Sequence, residues 1–219
     1  MIPNYEKAAA KAMEILIENA VTETPIDSLS ILLKQPGVRV VSFTKYASMA
    51  GIDRNDLVPM FGSNQDAATF NLGTEINDVK YVVVYNMRLP YEIIQRSIAR
   101  ELGHIVLGHD GETRPTDVRM AEAMCFAHHL ISPRPVINML RESIPVTMNV
   151  LTATTGCSDD CVEGLREIPG VSVPKELNKA VRDLFARGIN EYIRFYKASP
   201  TKDKSPVIDF GSYMEGYAE

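Results

Sequence analysis

The chain has 219 residues, 45% of them hydrophobic and 23% charged, the balance of a folded globular protein rather than a disordered or fibrous one. A net charge of −5 and a pI near 5.5 leave no global basic field to draw in nucleic acid or a membrane surface. No apolar run approaches the roughly 18 residues that span a bilayer, and the amphipathic, acid-bearing start MIPNYEKAAAKAMEIL is unlike a secretory leader.

In chain order, residues 5–20 carry an apolar stripe of Met13, Leu16, Ile17 and Ala20 that predicts a helix. PIDSLSILLKQPG (25–37) reads as a short second helix opened by Pro25 and stopped at Pro36-Gly37. The β-branched run VRVVSF (38–43) predicts a strand, and RNDLVPMFG (54–62) a turn or short helix. ATFNLG (68–73) and VKYVVVYN (79–86), joined by the polar TEIND, predict a hairpin in a small antiparallel sheet. Pro90 opens a long helix to about Leu107, ended by Gly108. A second long helix, 116–132, is capped by Thr116 and stopped by Pro133. Shorter helices follow at about 134–142, 146–155 and 158–167. A last one, about 174–196, carries Val181, Leu184, Phe185, Ile189 and Tyr192 on its apolar face.

There is no internal repeat. The expected organisation is a domain over 1–142, a helical segment over 143–197 and an aperiodic tail over 198–219. Three cysteines (Cys125, Cys157 and Cys161), an odd number without disulfide spacing, suit a reducing, cytoplasmic location.

The chemistry concentrates on the helix RSIARELGHIVLGH (96–109). Ile94, Ile98, Leu102 and Ile105 form its core stripe, and Ser97, Glu101, His104 and Gly108 form a polar stripe beside it. Arg100 precedes His104 by four residues and shares its face. Gly103 in mid-helix costs about 1 kcal/mol against alanine, which implies a closely packed neighbour. On the next helix Glu122 stands in the apolar AEAMCFAHHLISP, where a lone buried carboxylate needs a partner. The polar residues of both helices, taken without a relative, could equally be a solvated face.

ARELGHIVLGH followed by EAMCFAHHLISP resembles the ImmA/IrrE-type metallopeptidases, whose pattern is H-E-x-G-H-x-x-L-x-H and then a helix E-A-N-x-F-A-x-x-L-x-x-P. The likeness extends over about residues 5 to 140 and includes the order of the early helix, strand and hairpin. It implies a zincin-like α+β fold, with a small, mainly antiparallel sheet against the motif helix and the Glu122 helix. By position, the family's zinc-ligand roles fall on residue 100, His104 and Glu122, and the general-base role on Glu101. Met124 and Ser132 depart from the usual asparagine and methionine without touching the metal chemistry.

The decisive departure is Arg100, which stands where the first histidine ligand belongs. A catalytic zinc takes about three protein donors at roughly 2.0–2.2 Å; a guanidinium has only N–H donors and stays charged. His104 and Glu122 alone are remnant ligands of a site expected to lack zinc, unless a surrogate rescues it. Cys125, one turn from Glu122, is one candidate; His109, five residues after His104, would have to fold back past the Gly108 stop. His129 lies about 10 Å along the axis from Glu122, too far for one ion, and the His128-His129 pair is expected to face solvent in part. A cation at residue 100 predicts instead that the Arg100 guanidinium forks onto Glu122 or Glu101 in place of the metal, with Glu101, His104 and Glu122 converging in one cleft.

The leading expectation is therefore a metallopeptidase homologue with lost or weakened activity. By the resemblance, it binds or acts on a helix-turn-helix repressor or similar protein. One alternative is an active zinc endopeptidase using Cys125 or His109. Another is DNA binding through the C-terminal helices, where VTMNVLTATTGCSDDCVEGLREIPG has a helix-turn-helix shape. The acids Asp159, Asp160 and Glu163 at the second helix of that segment would repel phosphate, so nucleic acid is not an expected partner.

Overall fold

A computed structural model describes residues 1–53, 55–57, 66–76, 78–111, 113–156, 158–168, 170–199 and 203–211. The fold is α+β, helices packed about a three-stranded sheet. Most of RNDLVPMFG lies outside the described residues.

Helix α1 (Tyr5–Glu18) starts at Asn4, whose side chain accepts the Lys7 amide, and buries Ala8, Ala9, Ala12, Met13 and Leu16. Ala20 lies past its end at φ 48°. Helix α2 (Ser28–Leu33) is opened by Asp27, which accepts from Leu29 N and Ser30 N, rather than by Pro25. Strand β1 (Val38–Ser42) runs straight into helix α3 (Phe43–Ala50). Ser42 caps α3 by accepting the Lys45 amide, and Gly51 at φ 66° ends it.

Strands β2 (Ala67–Ile76) and β3 (Val79–Tyr85) form the expected hairpin, but β2 runs through the polar TEI as well, with a register irregularity between Asn71 and Ile76. The sheet is not mainly antiparallel. Its order is β1-β3-β2, with β1 parallel to β3 (Val38 opposite Tyr81, Ser42 opposite Tyr85) and β2 antiparallel to β3. The central strand is covered on both faces, which is why it reads as the unbroken YVVVY. Val84 packs with Val41, Phe43, Ala47 and Leu57 on the α3 side, and Val83 joins the main core on the other.

That main core is built on the antiparallel pair α4 (Tyr91–Val106) and α5 (Thr116–Ile131), with α1 laid on α5. Helices α6 (Arg134–Arg141), α7 (Met148–Thr155), α8 (Asp159–Glu167) and α9 (Lys175–Ala198) contribute buried residues to the same core. Arg134 is fully buried and donates from Nη1 to Val171 O at 2.7 Å. Helices α7 and α8 turn at Gly156, φ 71°, and α8 opens with Asp159 and Asp160 as expected.

Three further expectations are corrected. Residues 203–211 are no loose tail: Val207 bridges Thr147, Asp203 accepts from the Thr147 hydroxyl, and Phe210 is buried. Cys161 is disulfide-bonded, where free thiols were expected throughout. His128 and His129 do not face solvent; they are 1% and 0% exposed. Gly164 of α8 makes room for His128, since a Cβ there would lie 2.3 Å from His128 Cε1. Among the described residues no helix is long and apolar enough to cross a membrane.

Two outcomes follow from the buried histidines. Burial pushes the His128 ring down to about pKa 4 and the His129 ring to about 3, with Arg96 and Arg134 respectively adding to the effect. Both rings are neutral in the folded protein at pH 7, so the stability they contribute is present above the unfolded value of about 6.5 and lost as pH falls toward 4. Urea midpoints should drop steeply between pH 7 and 4.5, and replacing His128 by phenylalanine should flatten that slope. Gly164→Ala should cost about 1–3 kcal/mol by the same measurement, because the neighbouring ring has nowhere to retreat.

Candidate active-site cleft

The polar stripe of α4 faces a cleft of about 500 Å³ between that helix, the edge strand β2 and the 107–111 connection. Close packing of α4 on α5 brings the two motif helices together. A Cβ on Gly103 would stand 3.0 Å from Phe126 Cδ1 and 3.1 Å from Ala123 O, so the mid-helix glycine is what the contact requires.

Arg100 reaches back along its own helix to Glu101: Nε and Nη2 both donate to Glu101 Oε1, at 3.0 and 2.8 Å, and Nη2 also donates to Ala67 O of β2 at 3.0 Å. The other Glu101 oxygen accepts the Thr69 hydroxyl at 2.8 Å. Burial pushes the Glu101 carboxyl above its usual range, although Arg100 and Thr69 pull the other way. The guanidinium thus lies on Glu101, one of the two partners the sequence allowed, and makes no bond to Glu122.

Glu122 is held by different groups. It is 2% exposed; Oε1 accepts the Asn4 amide at 2.6 Å and Arg114 Nη1 at 2.7 Å, and Oε2 meets His109 Nε2 at 3.0 Å. Burial alone would raise its pKa, but these three donors hold the carboxyl below its usual range. His109 does fold back. After α4 the Gly108 N–H bonds Ile105 O at 3.1 Å, the His109 N–H bonds His104 O at 3.0 Å, and Gly108 takes φ 72°. This is a Schellman turn, and Leu107-Gly108 was its signal in the sequence. The turn brings His109 Nδ1 to 2.9 Å from His104 Nδ1, the two rings edge to face. With Glu122 ionised, His109 Nε2–H donates to it and one proton is shared in the contact between the two Nδ1 atoms.

Glu101 and His104 line the cleft; Glu122 is not among its lining residues, and the imidazole of His109 stands between it and His104. Burial, with help from His109, Arg100 and Arg119, lowers the His104 pKa to about 4, so this ring is neutral at pH 7. Cys125 faces the core, with Sγ near Tyr5 O and His129 Nδ1, and burial pushes its thiol up to about 12. It lines no part of the cleft. Among the described residues no group of three His, Cys, Asp or Glu is disposed to hold a metal ion.

Sequence reasoning missed several residues that build this region. Asn71 and Tyr81 of the sheet donate to Asp110 Oδ2, at 2.5 and 2.8 Å, and so tie the connection after α4 to the strands. Arg119 lines the cleft beside His104 and anchors to His109 O at 3.1 Å. Nothing local in the sequence marks Arg114. Arg119 could have been found as the cation one turn before Glu122 on the same helix. No family model, curated protein or solved structure matches the chain.

Removing the Arg100 side chain strands Glu101, which is 5% exposed, beside a neutral histidine. Arg100→Ala should cost about 2–4 kcal/mol at pH 7 in urea denaturation. Because the folded Glu101 carboxyl already titrates above its unfolded value, and higher still without Arg100, its protonation relieves the loss at low pH. The penalty should shrink toward pH 4.5 and grow as pH rises.

Proposed function

We propose that the protein is a zincin-like homologue of the ImmA/IrrE-type metallopeptidases in which side chains have taken over the metal's structural role, leaving a module that binds a protein partner with little or no hydrolysis. One observation carries this reading: of the atoms that would coordinate zinc, all but Nε2 of His104 already hold hydrogen bonds. Glu122 has both oxygens engaged, His109 has both ring nitrogens engaged, and His104 Nδ1 is engaged by His109. Zinc needs about three such donors free at once, with ligand nitrogens unprotonated. The present set does not fit it, and the fixed charge of Arg100 adds a repulsion at the position of the lost histidine.

The same geometry weakens a general-base role for Glu101. That carboxylate accepts two bonds from Arg100 and one from Thr69, and without a Lewis acid it has no activated water to act upon. What remains is a cleft opening on a free sheet edge. Among the described residues strand β2 is paired only with β3, so its outer backbone groups, apart from Ala67 O, which Arg100 holds, are available to an extended segment of another protein. By the family likeness, that protein is a helix-turn-helix repressor.

A second reading has one observation in its favour. His109, a surrogate ligand weighed from the sequence, does reach His104 at 2.9 Å. As placed, however, its ring separates His104 from Glu122, so an active zinc peptidase on this chain requires that ring to rotate and Glu122 to release it.

Elemental analysis after dialysis against zinc distinguishes the two. The unaltered protein should retain well under one zinc per chain, and Arg100→His should raise the affinity by orders of magnitude through a restored first-shell donor. Near-stoichiometric zinc in the unaltered protein, lost in His104→Ala, would sink the metal-free reading and favour the surrogate site.

A further inference from the structure

Among the described residues the charges around the cleft pair off with one exception. Arg100 is balanced by Glu101 at 2.8 Å, Arg114 by Glu122 at 2.7 Å, and Lys80 by Asp110 at 3.6 Å. Arg119 lines the same cleft with two neutral acceptors only, His109 O at 3.1 Å and the Thr116 hydroxyl at 3.2 Å. Its Nε has no hydrogen-bond partner, and no carboxylate lies within ion-pair distance of it among the described residues. A guanidinium presents five donors in a rigid fork matched to an oxyanion. This fork is fixed by two anchors and left with donors to spare.

The surroundings make that surplus effective. Arg100 and Arg119 line the cleft together with Glu101 and Asp110; Glu101 is taken by Arg100 and Asp110 by Lys80, which leaves Arg119 as the cation free to meet a ligand among the described residues. Across the cleft, Ala67, Ala68, Thr69 and Asn71 of the edge strand line the opposite wall. An extended chain added to β2 would draw affinity from main-chain bonds, which carry no preference for sequence; preference comes from side-chain pockets beside the strand.

We infer that Arg119 is the specificity element of this cleft, and that it receives an acidic side chain from an extended segment of the partner docked along β2. This rests on the partner-binding reading above and names the chemistry that reading leaves open. A desolvated carboxylate meeting an oriented guanidinium forms the stronger, charge-assisted kind of bond, whereas a neutral or basic residue at that position leaves Arg119 unmatched. The acidic segment supplies the counter-charge that the described residues of this chain do not.

The test uses the full chain and two dye-labelled probes, the extended peptides Thr-Val-Glu-Val-Thr and Thr-Val-Gln-Val-Thr, followed by fluorescence anisotropy at 50 mM NaCl. The glutamate peptide should bind about tenfold more tightly than its glutamine counterpart. That preference should fall below about twofold in Arg119→Gln and be largely kept in Arg119→Lys. A second measurement needs no variant: on the unaltered protein the preference should shrink steadily as NaCl is raised to 500 mM. Equal affinity for the two probes, no binding of either, a preference that survives Arg119→Gln or one indifferent to salt would each overturn the proposal. So would full displacement of the glutamate probe by 10 mM inorganic phosphate, which would make the cleft a site for free anions. None of these outcomes bears on zinc content, so failure here is distinct from failure of the metal-free reading.

Discussion

The carboxylate of Glu122 is the constraint on which the rest of the site depends. It is almost wholly buried, and a buried carboxylate is tolerated only when its lone pairs are filled. The groups that fill them come from three places in the chain: the amide before α1, the side chain of Arg114 and the turn after α4, whose His109 in turn meets the His104 ring. Each donor fixes the position of the element that carries it. The donors and charges of the protein impose this convergence, and α4 and α5 approach closely at Gly103.

Arg100 belongs to a separate, self-neutral unit. Adjacent residues on a helix diverge by about 100°, and a short side chain at 100 could not have met Glu101. The guanidinium is long enough to curl back and to bond the edge strand through Ala67 O in the same motion. Two balanced units, Arg100 with Glu101 and Arg114 with Glu122, thus stand where a single salt-bridged knot was expected. The division leaves Arg119 without a counter-charge among the described residues.

What the sequence disclosed and what it hid follow from the range of the interactions involved. The long helices, the hairpin and the closeness at Gly103 were legible because periodicity, a polar break and a misplaced glycine are local signals. Helix α3 was not: Phe43 completes an apolar run that reads as strand, and only Ser42 turning from strand residue to cap reveals the helix. The parallel pairing of β1 with β3 was equally hidden, since register between strands some forty residues apart is set by packing on both faces of the central strand. His128 and His129 read as a polar pair; the burial of His128 depends on the missing side chain at Gly164, in a helix far along the chain. At the site, the residue types were right and the wiring was not, because His109 was judged by its angle on a continuing helix when the Leu107-Gly108 turn had already redirected it.

The bond from the Asn4 amide to Glu122 spans 118 residues of sequence. A chain emerging from the ribosome at about 5–20 residues per second makes α1 on the order of ten seconds before its anchor exists. During that interval the apolar face of Ala8, Ala9, Ala12, Met13 and Leu16, all wholly buried in the finished protein, has no α5 to cover it. The N-terminal helix is thereby obliged to wait as a nascent, sticky segment, and its shelter during synthesis falls to whatever chaperone or transient contact the cell provides.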